Sequence, residues 1–171
     1  PENSEVYFLQ TANIDLGVIP WNQLEGWEPI GKEWNQFYGK YNGAEYTISG
    51  LTINRPEANY IGLFGWLKGS SLVNIGLINV DITGNQTVGA LVANIQDNGY
   101  VGNCYSTGNV KGQAWIAGLV ANLYLGSTLD NSYSTANVQM IAGTSTNYQA
   151  GGLVGRTYMN ANLNNSFATG N

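Results

Sequence analysis

The chain has 171 residues, 11 acidic and 6 basic, a net charge of −5, no histidine and a single cysteine, Cys104. Without imidazole there is no Ser-His-Asp triad, Cys-His dyad or histidine metal site, and one cysteine excludes an internal disulfide framework or a Cys-rich zinc site. Six scattered basic residues argue against a nucleic-acid partner; no apolar run approaches the ~18–20 residues of a membrane span, and 43% hydrophobic with 12% aromatic residues argues against disorder.

Gly and Asn occur 23 times each. The chain starts at Pro1 and so reads as a processed product or an excised piece. Residues 1–68 hold eight of the acids and four of the bases. Trp21, Trp27, Trp34, Pro20 and Pro29 fall in the first part of that stretch. Residues 1–45 are therefore expected to form an N-terminal cap and lead-in, with solenoid repeats over 46–171. The Ile-Ser-Gly-Leu-Thr-Ile run at 48–53 resembles Ile75–Val80, about one coil later.

From there the sequence repeats. Gly62-Leu63-Phe64-Gly65 is followed by Ala90-Leu91-Val92-Ala93, Gly118-Leu119-Val120-Ala121 and Gly152-Leu153-Val154-Gly155. The leucines Leu63, Leu91, Leu119 and Leu153 are spaced 28, 28 and 34. A second marker keeps the same beat: Asn74, Asn103, Asn131 and Asn165, spaced 29, 28 and 34. The longer step points to a loop inserted at Ala142–Tyr148. Short β-type runs broken by Gly and Asn, with no 3.6-residue period and almost no Pro, suit stacked coils. The expected fold is all-β: a right-handed parallel β-helix (β-solenoid) with ~28-residue coils, about five in number.

In that fold the leucines fill the interior. The recurrent asparagines can form an amide ladder and tolerate the left-handed backbone at corners. Tyr105, Tyr133 and Phe167 should stack as an aromatic ladder, beside a column of Thr107, Thr135 and Thr169. Ile75 and Leu77 align with Cys104 and Ser106, which favours that parity for the interior and the tyrosines outside; the opposite parity stays open.

These segments resemble the GLUG-motif repeat proteins, named for Gly-Leu-any-Gly. The resemblance extends to the Asn-Cys/Ser-Tyr-Ser-Thr-Gly/Ala-Asn-Val stretches at 103–110 and 131–138. It extends also to the lead-in Tyr7–Leu16, Trp27–Gly31, Phe37–Gly43 and Tyr46–Leu51. It implies a stalk, spacer or adhesive module of a secreted or surface-exposed bacterial protein, as in adhesin-like proteins and the non-catalytic regions of IgA-cleaving peptidases. It brings no catalytic residue and no cofactor.

Candidate sites are few. Asp97 and Asp130, near turns that precede Asn103 and Asn131, are the pair a polysaccharide-active β-helix would need; solvated loop acids are the plainer reading. No acid cluster suggests a metal. Trp21, Trp27, Trp34, Trp66 and Trp115, with Tyr38 and Tyr124, could stack on sugar rings, against the commoner packing role of tryptophan. An ice-binding Thr column is a further reading, with only three equivalents. Asn85 and Asn164 match the glycosylation pattern, and Cys104, aligned with Ser132 and Ser166, reads as a small buried residue. The chain stops at Asn171 inside a repeat, so either a longer protein continues it or its open coil edge pairs with another copy, head to tail, into a filament. Other expected partners are a surface glycan or a host protein; the expected location is extracellular or the bacterial cell surface.

Overall fold

In the computed structural model, which describes residues 6–141 and 148–171, every named strand pairs in parallel with its counterpart one coil away. The protein is a β-solenoid of about five coils with no helix among the described residues. The first sheet holds six strands: Tyr7–Leu9, Lys40–Asn42, Ser71–Val73, Tyr100–Gly102, Thr128–Asp130 and Asn162–Asn164. The second holds eight, centred on Gly76–Thr83 and Tyr105–Gly112. Gln86–Gly89, Ala114–Ala117 and Ala150–Gly151 form a three-stranded sheet. Phe64–Lys68, Val92–Gln96, Val120–Tyr124 and Val154–Tyr158 form a four-stranded sheet.

The expected cap at 1–45 takes part in the same ladder. Tyr7–Leu9 pairs with Lys40–Asn42, Ile14–Asp15 with Ile48–Ser49, and Ile30 and Phe37 bridge to Phe64 and Leu67. Residues from Tyr7 onward thus form the first coil, with a long excursion through Trp21 and Leu24. The expected insertion at 142–148 lies outside the described residues, except for Tyr148.

Alternating side chains point inward, and the same columns recur in each coil. Leu63, Leu91, Leu119 and Leu153 are all buried, with the Leu91 N–H donating to the Leu119 carbonyl and the Leu119 N–H to the Leu153 carbonyl. In the second sheet Leu77, Ser106 and Ser134 are buried, while Tyr105 and Tyr133 stand outside. This is the parity that Ile75, Leu77 and Cys104 favour. Tyr105 stacks on Tyr133 at 5.0 Å and 3°, and Tyr133 on Phe167 at 5.3 Å and 6°.

Asn74, Asn103, Asn131 and Asn165 turn the chain from the first sheet into the second, at φ 58°, 53°, 46° and 45°. The amide ladder is real but partial. Asn103 Nδ2 donates to Asn74 Oδ1 (3.1 Å), and Asn74 Nδ2 to Asn42 Oδ1 (3.0 Å). Asn131 and Asn165 instead both donate to the Asp130 carboxylate, at 3.2 and 3.1 Å, because a charged acceptor outcompetes an amide oxygen. Thr107 accepts from the Asn79 N–H, and Thr135 and Thr169 are exposed.

Cys104 lies inside this corner, with Sγ 3.2 Å from the Gly102 carbonyl. Burial pushes its thiol up to about 12. Its equivalents Ser132 and Ser166 accept N–H groups from the preceding coil, Cys104 N–H on Ser132 Oγ and Ser132 N–H on Ser166 Oγ.

Candidate functional site

The three- and four-stranded sheets meet at a re-entrant corner. Tyr60, Thr87 and Trp115 occupy equivalent places in successive coils, since Tyr60 and Ile61 bond to Gln86 and Thr87 while Ala114 and Ile116 pair with Gln86 and Val88. All three have left-handed backbone, at φ 60°, 57° and 49°. Across the corner the outward column of the four-stranded sheet reads Trp66, Asn94, Asn122, Arg156. The two columns touch: Tyr60 packs on Trp66 at 4.5 Å and Arg156 lies over Trp115 at 5.2 Å. Outward side chains on either side of a bend meet only where the bend is concave, and here they fill it, leaving Thr87 and Asn94 buried.

Beside Tyr60, at the N-terminal end of this corner, lies a cleft of about 370 Å³, lined by residues that include Glu28, Lys32, Trp34, Arg55, Asn59 and Tyr60. The cations there are already paired: Lys32 with Glu28, and Arg55 with Glu25 at 2.6 Å. Lys32 accordingly holds the Glu28 carboxyl below its usual range, chiefly through their hydrogen bond. Burial, then the nearby Glu33 charge, raises the Tyr60 phenol. Farther along, Asn122 Nδ2 donates to Asn94 Oδ1 at 3.2 Å, and the Tyr124 hydroxyl bonds Gln96 in the neighbouring outward column. Trp66 Nε1 and Asn94 Nδ2 are buried donors with no acceptor among the described residues. Arg156 ends the column with its guanidinium between Trp115 and the Tyr158 ring, which is 5.0 Å away.

Of the five tryptophans, Trp66 and Trp115 stand in this corner, and Trp34 is 81% exposed at the cleft. Trp21 and Trp27 are placed elsewhere: they pack on each other at 5.5 Å, and Trp27 lies against the core with its indole N–H on the Leu63 carbonyl. Tyr38 lies by Lys68, whose ammonium is 5.8 Å from its ring. Asn94, Asn122 and Arg156 are the corner residues that sequence reasoning passed over. Their signal was present, three residues after Leu91, Leu119 and Leu153 in each copy.

The two candidate acids are not equivalents. Asp130 lies opposite Gly102, whereas Asp97 stands five residues earlier in its coil, at φ 58° beside Lys68 (3.7 Å). Asp130 is occupied by Asn131 and Asn165. The register therefore does not set the two acids side by side on adjacent coils. Among the described residues no three Asp, Glu or Cys side chains gather as metal ligands, and no helix is long and apolar enough to cross a membrane. Of the glycosylation matches, Asn85 has its side-chain oxygen buried and Thr87 is buried, while Asn164 is exposed.

Two proteins resemble parts of this chain. One, from Evansella cellulosilytica, is named as a Gly-rich membrane protein and is 39% identical over 98 residues, 55% of this chain and 11% of that protein. The other is the halomucin of Haloquadratum walsbyi, 38% identical over 109 residues, 60% of this chain and 1% of that protein. The chain thus spans a small fraction of either relative. No family model matches the chain, and no solved structure matches it.

Proposed function

We propose that this chain is a non-catalytic, rod-forming module of a surface-exposed protein. The observation that carries the reading is the continuity of the columns. The buried leucines, the Tyr105–Tyr133–Phe167 stack and the parallel ladders join each coil to the next. In such a stack every coil is held only by its neighbours, and the product is a stiff, extended body. The names of the two relatives, a membrane protein and a halomucin, support a surface setting, and the Gly-Leu-x-Gly copies support a GLUG-type spacer or adhesive module. The test is twofold. Single molecules stretched from their ends should keep their length until they unfold coil by coil. A panel of polysaccharides incubated with the chain should release no reducing ends. Release that disappears with Asp97→Asn or Asp130→Asn would overturn the reading.

A further inference from the structure

The outer column of the second sheet sets two phenols side by side at the surface. Tyr105 and Tyr133 are register partners in adjacent coils, and their rings are 5.0 Å apart and 3° from parallel. Both are half-buried rather than enclosed. Phe167 continues the column at 5.3 Å, is 57% exposed and brings no hydroxyl. In-register parallel strands give the two tyrosines the same direction, so the ortho carbon beside each hydroxyl lies next to its counterpart.

That placement suits one covalent reaction. A phenol that loses an electron and its proton becomes a phenoxyl radical, with spin on the oxygen and on the ortho and para carbons. The para carbon of tyrosine already carries Cβ, so two such radicals join through their ortho carbons, Cε to Cε. Each of these carbons then passes its hydrogen to its own oxygen, and both phenols are restored. The sum is one new carbon–carbon bond and two hydrogen atoms lost, with hydrogen peroxide reduced to two waters. From the stacked arrangement the rings need only turn about Cβ–Cγ to meet edge to edge, a fast motion for side chains at the surface. The backbone ladder stays in place.

A second pair of tyrosines marks the difference. Tyr124 and Tyr158 are also register partners one coil apart. The Tyr124 hydroxyl, however, bonds Gln96 in the preceding coil, and the Tyr158 ring lies against the Arg156 guanidinium. These two rings turn to different neighbours.

We propose that Tyr105 and Tyr133 form an oxidative modification site, at which a haem peroxidase with hydrogen peroxide joins the two rings as dityrosine. The bond would tie covalently two coils that a solenoid otherwise holds by contact alone. Because the fold keeps the rings together, coupling within the chain outpaces coupling between dilute chains. This site goes beyond the rod reading and does not depend on it.

The experiment exposes the intact chain, at micromolar concentration, to a haem peroxidase and hydrogen peroxide, then digests it with trypsin. Cleavage after Lys68, Lys111 and Arg156 leaves Tyr105 in peptide 69–111 and Tyr133 in peptide 112–156. The two peptides should appear joined, lighter than their sum by two hydrogen atoms, with fragment spectra placing the bond on Tyr105 and Tyr133. The undigested product should run as a single chain on a denaturing gel. Tyr133→Phe, which copies the ring already present at Phe167, should lower the joined product about tenfold or more, and so should unfolding in urea before oxidation. Tyr124→Phe should leave it unchanged. No joined peptide, a bond placed mainly on other tyrosines, linkage between chains alone, or equal yield in urea overturns the proposal. If Tyr133→Phe is not folded by circular dichroism, the comparison of folded and urea-unfolded chain decides alone.

Discussion

The ring of Tyr105 fills the space that a side chain on Gly76, its ladder partner in the preceding coil, would occupy. A Cβ built on Gly76 would stand 2.4 Å from Tyr105 Cζ. The glycine thus gives the aromatic ladder a floor, and the ring shields a backbone that glycine leaves bare. Gly76→Ala is expected to cost about 1–3 kcal/mol by forcing the ring off its seat. In a Tyr105→Ala background the same change should cost nothing or stabilise slightly, since alanine suits a strand better than glycine. Thermal melts of the four proteins in the cycle measure the difference.

Gly118 is a harsher case. There a Cβ would lie 2.1 Å from the Gly152 carbonyl oxygen and 2.2 Å from Ser134 Oγ. A ring can swing away, but the backbone of the next coil cannot. Gly118→Ala should therefore destabilise by roughly 3 kcal/mol or more, read as a lower urea midpoint, although the equivalent position one coil earlier is Ala90.

Cys104 makes the stability pH-dependent. Its thiol is pushed up to about 12 from 9.0 when folded, so between those values the folded chain holds a proton that the unfolded chain releases. Stability from this group is complete below pH 9 and falls as the pH rises toward 12. Cys104→Ser should flatten that part of the profile, with serine already at the equivalent places Ser132 and Ser166. In the folded chain at pH 8, Cys104 should resist thiol reagents until denaturant is added.

Much of the fold was legible because one residue type returned at a fixed step. Leucine 28 residues on, and tyrosine likewise, gave coil length and stacking. The register was less legible where types drift: the run at 48–53 suggests a 27-residue step to 75–80, but Ile48 pairs with Leu77, 29 residues on. Both steps are odd, so the inward face was unaffected. The Asn ladder was overread at Asn131 and Asn165, because the competing Asp130 belongs to the neighbouring strand rather than to the repeated motif. The corner between the three- and four-stranded sheets was hardest to read. Its column changes from Trp66 through two asparagines to Arg156. Its left-handed wall of Tyr60, Thr87 and Trp115 carries none of the residues that announce such backbone. Only the bend between two sheets brings them together.

The 28-residue register of the central coils has a genetic corollary. Tyr100–Gly102 pairs with Thr128–Asp130, and Val92–Ile95 with Val120–Leu123, by the same offset. Copying the 28 codons for Leu91–Gly118 in tandem would present each flanking coil with the neighbour it already has. Slippage or unequal crossing-over between such copies adds or removes whole coils while sparing the reading frame and the packing. The length of the rod is thus open to selection without prior repair of its interior.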